Sequence, residues 1–290
     1  MKQILITGAT GNIGKEVIRY LYEIENTAEI ILAVRDIEKA KSIFSNFKGL
    51  NFRKFDFINQ NTFNLAFEKI EILFLLRPPN ISEVDKYFKP LLNSAKKNGI
   101  EKVVFLSVQG AEKSKVIPHN KIEHLIQSIG FKYIFVRPSY FMQNLTNTLL
   151  PEILNSQTIT LPSSQAKFNW IDVKNVGEVS AILIKYFEQY QNEVFEITGT
   201  ENKNFQEVTE IMTKITGTNF RFNNINPICF YLKNRKNGMQ NDFAFVMTIL
   251  HFLPRIQKDP NISDNFFKLT GKETTKLKEF IKREKNKFLK

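Results

Sequence analysis

The 290-residue chain lacks most features of secreted, metal-binding and membrane-spanning proteins. Its single cysteine, Cys229, excludes an internal disulfide framework and a zinc site built from several cysteines. The longest dense apolar stretch, from Phe243 to Leu253, is shorter than the roughly 20 residues of a membrane-spanning helix. The first residues lack the apolar core of a secretory signal. We therefore expect a soluble cytoplasmic protein with no metal site, in which Cys229 is a small buried residue.

The chain has fewer acidic than basic residues, 29 Asp and Glu against 41 Lys and Arg, so its formal net charge is +12. Residues 256–290 contribute ten Lys or Arg against five Asp or Glu. Most of this tail, 272–288, has the pattern of an amphipathic helix whose apolar positions are Leu277, Phe280, Ile281 and Phe288. A solvated basic face is the favoured interpretation, and a DNA- or phosphate-steering surface is the alternative. Without a helix-turn-helix signal, nucleic acid is not an expected partner.

The first half of the chain alternates strand-like and helix-like segments. Apolar runs such as EIILAV and EILFLL are typical of strands buried on both faces. This alternation predicts an α/β fold, a Rossmann-type doubly wound parallel sheet in residues 1–150. Residues 151–290 are predicted to form a small C-terminal substrate lobe, parts of which return to the sheet. The predicted strands are 3–7, 29–34, 51–55, 70–76, 102–107 and 132–137, and the predicted helices are 14–24, 37–46, 60–67, 81–97 and 120–128.

A glycine-rich turn, ITGATGNIG, follows the first strand and opens the first helix. Residues without a Cβ allow a tight turn and a close approach of the backbone to a pyrophosphate, which the helix N-terminus attracts. We interpret it as a dinucleotide-binding loop, with a purely structural turn as the alternative. The predicted cofactor-binding residues of this loop are Gly8, Thr10, Gly11, Asn12, Ile13 and Gly14.

The ends of the next three strands supply further candidates for cofactor binding. Arg35 stands where an NAD-preferring protein carries an acid, so NADP(H) is favoured over NAD(H), with a solvated Arg35 as the alternative. Asp36 is equally suited to cap the next helix. Asp56 and Phe57 are expected beside the adenine, unless they are a turn residue and a core residue. Leu76, Arg77 and Pro78 are expected on the ribose and nicotinamide side.

Five segments resemble the NmrA-like group of atypical short-chain dehydrogenases/reductases. They are LSVQGA (106–111), HNKIE (119–123), RPSYFMQN (137–144), FNWIDVKNVGEVSA (168–181) and LTGKETTKLKEFI (269–281). The resemblance covers about residues 2–285. It implies an NAD(P)-binding domain with a substrate cleft beside a small lobe. Members of the group include quinone reductases, azoreductase-like enzymes and catalytically idle cofactor sensors, so the resemblance alone leaves catalysis open.

The chain departs from the usual reductase pattern in its acid pair. The usual tyrosine stands four residues before a lysine, and here the position before Lys121 is Ile117. The resemblance retains Ser107 as the strand-end serine and His119 and Glu123 as the H-x-x-x-E pair. A quinone needs a positioned acid less than a simple ketone does, because its reduction product is aromatic. The departure therefore favours a quinone-like or other conjugated acceptor.

The predicted catalytic residues are Ser107, His119 and Tyr140. Further predicted cofactor contacts are Lys121, Ser139, Tyr140 and Phe141, with an ordinary core position as the alternative for the two aromatic residues and a loop histidine as the alternative for His119. Asn144 is either a pocket amide or a structural one. The predicted function is an NAD(P)H-dependent oxidoreductase that acts on a small-molecule acceptor. A non-catalytic NAD(P) sensor with a protein partner is the alternative, and an epimerase-type enzyme ranks last.

Overall fold

A computed structural model describes residues 2–24, 27–115 and 117–289. The strands in chain order are β1 (Lys2–Ile6), β2 (Ala28–Val34), β3 (Asn51–Lys54), β4 (Ile72–Leu76), β5 (Lys102–Leu106), β6 (Lys132–Pro138), β7 (Tyr140–Phe141), β8 (Thr158–Leu161), β9 (Phe168–Ile171), β10 (Glu193–Ile197), β11 (Asn202–Lys203) and β12 (Arg221–Asn224).

The α-helices are α1 (Asn12–Ile24), α2 (Ile37–Ile43), α3 (Phe63–Phe67), α4 (Val84–Lys97), α5 (Pro118–Ile129), α6 (Leu150–Ser156), α7 (Val173–Lys185), α8 (Phe187–Tyr190), α9 (Phe205–Thr216), α10 (Pro227–Lys236), α11 (Asn241–Phe252), α12 (Asn265–Thr270) and α13 (Leu277–Arg283). Short 3-10 turns span Gln60–Thr62, Ala111–Lys113, Met142–Thr146, Leu253–Ile256 and Lys285–Lys287. Within the described ranges, no helix is long and apolar enough to cross a membrane.

Contacts divide the chain into two compact units. The first contains the chain up to Pro138, Val173–Ile197 and Lys268–Thr270, and the second contains Ser139–Asp172, Thr198–Phe267 and Gly271–Lys290. Strand β10 and helix α7 thus belong to the first unit although they lie beyond residue 150. The division of the sequence at residue 150 into a cofactor domain and a substrate lobe stays a prediction.

A parallel sheet forms the centre of the first unit. Its strand order is β10-β6-β5-β4-β1-β2-β3, and every neighbouring pair is parallel. From β1 the chain moves to β2 and β3 on one side, then crosses to β4 on the other side of β1. In such sheets ligands bind outside the carboxyl ends of the strands where the order reverses. The predicted Rossmann-type α/β class is confirmed, and the reversal lies between β1 and β4.

Local signals in the sequence explain where these elements begin and end. Asp36 caps α2, because its carboxylate accepts a hydrogen bond from the Lys39 backbone N–H at 3.0 Å. Pro118 opens α5, where its missing N–H costs nothing, and Gly130 ends that helix with a φ of +80°. The apolar runs form buried strands: Ile4, Leu5 and the other interior positions of β1, β4 and β5 have almost no exposed surface.

The second unit has two small sheets over a separate core. Strand β9 lies between β7, which is parallel to it, and β11, which is antiparallel, while β8 pairs with β12 in parallel. The core contains aromatic and aliphatic residues from all parts of this unit: Met142, Leu145, Ile159, Trp170, Phe205, Met212, Leu277, Phe280, Ile281 and Phe288. The four apolar positions of the tail are therefore buried, as their spacing predicted.

Two sequence expectations are wrong in this unit. The tail is not helical from residue 272: α13 begins only at Leu277, where the Lys276 N–H is held by the Glu279 carboxylate at 3.0 Å. Cys229 is exposed rather than buried. It lies in the first turn of α10, and the next residue, Phe230, is the one that enters the core.

Candidate active site

The glycine-rich loop joins β1 to the N-terminus of α1 at the point where the strand order reverses. Gly8 has a φ of +63°, which L side chains rarely adopt, and its carbonyl accepts the Gly11 N–H at 3.0 Å. The Gly11 carbonyl then accepts the Lys15 N–H at 3.0 Å. Thr10, Gly11 and Asn12 are exposed at the tip of this turn. The first N–H groups of a 13-residue helix therefore open onto a solvent-accessible loop.

Gly14 is required by close packing within the loop. A Cβ at this position would lie 2.2 Å from the Gly8 carbonyl oxygen and 2.8 Å from the Ala9 Cα. At Gly11 an added Cβ would come only to 3.2 Å from the same oxygen. Gly14 thus permits the first turn of α1 to pack against the loop. Gly11 is exposed on the solvent side of the loop, where an added Cβ would have more room. Ile13 is half-buried between them.

Thr7 connects the two strands on either side of the reversal. Its hydroxyl donates to the Phe74 carbonyl at 3.1 Å and accepts the Leu76 N–H at 2.9 Å, and the residue is fully buried. The Leu76 side chain packs over Gly8, because its Cδ2 would lie 3.0 Å from a Cβ there. These contacts fix the glycine loop relative to the carboxyl end of β4.

Two basic residues lie together at the carboxyl ends of β2 and β3. Arg35 is exposed directly after β2, and the Lys54 ammonium donates a hydrogen bond to its carbonyl oxygen. Strand pairing sets Lys54 beside Val34, the residue before Arg35. The carboxylate of Asp36 caps α2, as described above. The edge of the sheet therefore presents two cations and an acid that is already hydrogen-bonded.

Asp56 and Phe57 follow β3. One Asp56 carboxylate oxygen accepts the Ile58 N–H at 3.2 Å, and the Asp56 N–H donates to the Thr62 hydroxyl at 3.0 Å. Phe57 is buried, with ring centroids 5.0 Å from Phe55 and 5.7 Å from Phe88. Asp56 is thus a turn residue and Phe57 a core residue, which are the alternatives that the sequence left open. Their contact with adenine stays a prediction.

Arg77 and His119 form a half-buried polar pair beyond the end of β4. The Arg77 Nε donates to His119 Nε2 at 3.3 Å, and its Nη1 donates to the carbonyl oxygens of Pro78 and Ile81 at 3.1 and 2.7 Å. Within the described residues Arg77 makes no ion pair. Burial lowers the pKa of Arg77 to about 10, which leaves the guanidinium charged at neutral pH. A half-buried cation without an acidic partner there favours negative charge nearby.

The same pair sets the protonation state of His119. Burial, with a smaller contribution from the Arg77 charge, lowers the pKa of His119 to about 3. The ring is therefore neutral at neutral pH. Because Nε2 accepts from Arg77, the proton is assigned to Nδ1. His119 can donate a hydrogen bond through Nδ1 but is not an imidazolium acid.

Ser107 lies just beyond the end of β5, the neighbour of β4. Its N–H donates to the Val136 carbonyl at 2.8 Å, which fixes the backbone. Its side chain is 2% exposed, and among the described residues its hydroxyl has no hydrogen-bond partner. Three other buried hydroxyls, those of Ser163, Ser180 and Thr274, also lack a partner in the described chain, but Ser107 is the one of the four that follows a strand at the carboxyl edge of the central sheet.

Glu123 and Lys121, two further residues of α5, make no side-chain hydrogen bond with Arg77 or His119 in the described structure. Glu123 is buried and binds Arg137 through two hydrogen bonds, of 2.9 and 2.6 Å. Arg137 also contacts Glu112 at 2.5 Å. The H-x-x-x-E glutamate is thus part of an ion-pair network that ties α5 to β6. Lys121 is exposed on the same helix, and its predicted contact with the cofactor ribose is untested.

Tyr140 lies in the aromatic core of the second unit. Its hydroxyl is 2.9 Å from His251 Nε2, and His251 Nδ1 is 2.7 Å from the Met247 carbonyl, which assigns the His251 proton to Nδ1 and makes Tyr140 the donor. Burial raises the pKa of Tyr140 well above its usual value, and the Asn144 side chain lowers this pKa, but the effect is smaller than that of burial. Burial lowers the pKa of His251 to about 4. These contacts favour the core interpretation of Tyr140 over a role as an acid.

Ser139 and Phe141 flank Tyr140. The Ser139 hydroxyl donates to the Asn169 carbonyl oxygen at 2.7 Å, and the Asn169 amide donates to the Gly199 carbonyl at 3.0 Å. Phe141 is half-buried and pairs with Ile171 across β7 and β9. Both residues therefore have structural partners in the second unit. Their contact with the nicotinamide stays a prediction from the sequence.

The comparisons with known proteins agree with this architecture. The profile of the NmrA-like family matches residues 1–281. The chain belongs to the NmrA-like family. The resemblance that five sequence segments indicated is thus confirmed across nearly the whole chain.

Three similar proteins have names that bear on function. The prestalk A differentiation protein A of Dictyostelium discoideum is 27% identical over 96% of this chain and 91% of its own length. The NAD(P)H azoreductase of Xenophilus azovorans is 25% identical over 96% of each chain. A crystal structure of the NADPH-dependent quinone oxidoreductase of Escherichia coli with NADPH has a TM-score of 0.84 at 21% identity, and covers 97% of this chain and 99% of that one.

Sequence reasoning missed four residues of the first-unit site. Thr7 and Lys54 carry no motif, since a threonine before a glycine turn and a lysine at a strand end are common. Glu16 and Gly177 bring α1 and α7 together: a Cβ at Gly177 would lie 2.5 Å from the Glu16 Cβ. A glycine within the helical pattern VKNVGEVSA was the available signal for this close contact.

Proposed function

We propose that the protein is an NAD(P)H-dependent oxidoreductase that reduces a quinone-like or other conjugated acceptor. The observation that supports this most strongly is the glycine loop, whose tight packing opens the N-terminus of α1 at the sheet's reversal point. Two similar proteins are an NAD(P)H azoreductase and an NADPH-dependent quinone oxidoreductase. The azo and quinone groups of such acceptors are both conjugated.

The residues of the first unit fit a nicotinamide dinucleotide. In the proposal the N–H groups of residues 12–14, at the start of α1, hold the pyrophosphate, with the Thr10 and Asn12 side chains beside it. Arg35 and Lys54 hold a 2′-phosphate, because both are basic and Asp36 is already used as a cap. NADP(H) is therefore proposed over NAD(H). Asp56 and Phe57 are assigned to the adenine side, and Leu76, Arg77, Pro78 and Lys121 to the ribose and nicotinamide side.

The chemistry of the chain's own residues suits a conjugated acceptor. A bound nicotinamide supplies a hydride, and the negative charge that develops on the acceptor needs stabilisation. Within the described residues, Ser107 offers an unpartnered hydroxyl, and Arg77 offers a half-buried positive charge without an acidic partner. We assign Ser107 to hydrogen-bonding the acceptor or the nicotinamide carboxamide, and Arg77 with neutral His119 to stabilising developing negative charge. The acceptor's proton comes from water, since Ile117 replaces the usual tyrosine.

A non-catalytic NAD(P) sensor is the second candidate. The replacement of the tyrosine by Ile117 favours it, as does the similarity to a protein named for cell differentiation. In this case the same loop would bind the cofactor, and the cofactor's redox state would alter binding to a protein partner.

Steady-state kinetics with a panel of acceptors separates the two candidates. NADPH and NADH oxidation is measured with benzoquinones, naphthoquinones, azo dyes and simple ketones. The proposal expects saturable turnover of the conjugated acceptors, faster with NADPH, and none of the ketones. Tight NADPH binding without turnover of any acceptor would favour the sensor. Turnover restricted to ketones would contradict the assignment of the acceptor class.

A further inference from the structure

The second unit carries an exposed apolar surface on α10, α11 and the turn that follows. Several large apolar side chains there are open to solvent, among them Ile228 at 68%, Phe245 at 59% and Ile256 at 73%. We call this surface the α10–α11 face and define it by its members: Ile228, Leu232, Phe245, Val246, Leu250, Leu253 and Ile256. Single exposed apolar residues are ordinary, but a contiguous group on neighbouring elements marks an interaction surface.

Helical spacing shows that the exposure is one-sided. In α11 the residues Ala244, Met247, Thr248 and His251 are buried, and they form one face of the helix. Val246 and Leu250 are exposed on the opposite face, which Leu253 extends, and Phe245 is exposed on the flank of the helix. A surface helix ordinarily has a polar outer face. Here the outer face is apolar apart from Asp242, so the helix has a second apolar surface that the described chain does not cover.

Basic side chains border the α10–α11 face. Arg235 and Lys236 end α10, and Arg255 and Lys258 follow α11, and all four are exposed. Lys233, also near the end of α10, is ion-paired with Glu152 at 2.7 Å and is not part of this border. On α10 the spacing puts Ile228, Leu232 and Arg235 on one side of the helix. Between residues 227 and 258 the only acidic residue in the sequence is Asp242. The surface therefore combines apolar side chains with a positively charged border.

This combination is complementary to an anionic lipid surface. A second copy of the chain would bring two basic borders together at a net charge of +12 each, which opposes self-association through this face. A protein partner would ordinarily need hydrogen-bonding groups within the interface, and the face offers few. Apolar groups entering the acyl boundary beneath a ring of Lys and Arg are typical of peripheral membrane binding.

We propose that the α10–α11 face binds the surface of an anionic membrane, with Phe245 and Leu250 entering the interface and the basic border contacting lipid phosphates. The protein lies on the bilayer in this arrangement and does not cross it. The proposal does not depend on the reductase activity, because none of these residues belongs to the cofactor site.

Vesicle co-sedimentation tests the proposal with the purified full-length chain. Vesicles of phosphatidylcholine alone are compared with vesicles that also contain phosphatidylglycerol, at low and high salt. We expect binding to the anionic vesicles only, weakened by salt. The double variant Phe245→Ser with Leu250→Ser should reduce the partition coefficient at least tenfold. The variant Arg235→Gln with Lys236→Gln should reduce it about fivefold per charge.

Leu65→Ser is the matched control, because Leu65 is 75% exposed on α3 of the first unit. It should bind vesicles as the wild type does, and circular dichroism should show that every variant is folded. Failure of the wild type to bind anionic vesicles would overturn the proposal, as would unchanged binding of the Phe245/Leu250 variant. A wild-type dimer in light scattering that this variant dissociates would instead assign the face to self-association.

Discussion

At the scale of single residues, a substitution at Ser107 tests its role in function independently of its effect on stability. Its buried hydroxyl has no partner among the described residues, so the folded protein gains no hydrogen bond from it. We expect Ser107→Ala to leave the free energy of unfolding unchanged or slightly raised. The same change should lower kcat/KM for the acceptor about tenfold, because a donor to the reacting groups is lost. Chemical denaturation measures the free energy of unfolding, and steady-state kinetics measures kcat/KM.

Ser180→Ala is the matched control for this prediction. Ser180 is also fully buried in the first unit, on α7, and its hydroxyl also has no partner within the described chain. This variant should match the wild type in activity. A loss of activity in both variants would show that general packing, and not contact with the reactants, explains the effect at Ser107.

Arg35 carries the proposed preference for NADP(H). Arg35→Ala should raise the KM for NADPH by about tenfold to a hundredfold, as expected for a lost charge-assisted bond to phosphate. The KM for NADH should change little. Lys41→Ala serves as the control, since Lys41 is an exposed lysine of α2 whose ammonium is ion-paired with Glu38. Equal losses for both cofactors in Arg35→Ala would contradict the assignment to the 2′-phosphate.

At the scale of elements, the glycine loop and α1 act as one packed unit. Gly14→Ala should lower both the stability and the affinity for NADPH, because its Cβ would overlap the Gly8 carbonyl. Gly11→Ala should lower NADPH affinity with little loss of stability, since its Cβ has more room in the free protein. Denaturation curves and NADPH fluorescence titrations give the comparison. Equal stability losses in the two variants would contradict the distinct roles of the two glycines.

The sequence predicted the elements of the first unit well because their signals are local. Continuous apolar runs, Asp36 as a cap and Gly14 in the turn each act within a few residues. The prediction for the C-terminal tail was less accurate, because the apolar spacing of Leu277 and Phe280 indicates the buried face of the helix but not its first residue. The error at Cys229 has a similar origin: only the packing of Phe230 against a distant core decides which side of α10 is buried.

Sequence motifs predicted part of the candidate site, but the residues that are defined by long-range contacts could not be predicted. The glycine loop and Arg35 follow from spacing along one strand–turn–helix segment. The side-chain contact of Arg77 with His119 spans 42 positions of the chain, and that of Tyr140 with His251 spans 111, so no local pattern shows them. The neutral state of His119 depends on this distant packing.

At the scale of the whole molecule, two histidines with lowered pKa values make stability depend on pH. The pKa values of His119 and His251 are lowered to about 3 and about 4. Below the unfolded pKa of roughly 6.5, the unfolded chain binds protons that the folded chain does not. Stability is therefore full above pH 6.5 and falls as the pH decreases towards 4. His251 alone should account for about 2 kcal/mol at pH 5.

His251→Gln tests this dependence. Its amide can still accept a hydrogen bond from Tyr140, but it does not titrate. The variant should be less stable than the wild type at pH 7, and its loss of stability between pH 7 and pH 5 should be smaller by about 2 kcal/mol. Thermal unfolding at several pH values measures the slope. Parallel wild-type and variant curves would contradict a neutral buried His251.

The most direct test of the central claim is a single turnover on the protein itself. One equivalent of NADPH is bound and then mixed rapidly with a naphthoquinone, and the nicotinamide absorbance is followed, with cofactor carrying hydrogen or deuterium at either face of C4. The account predicts that bound NADPH is consumed, and that deuterium at one face slows its loss severalfold. NADPH that stays bound and unoxidised with this and other conjugated acceptors would contradict the claim that the site transfers hydride.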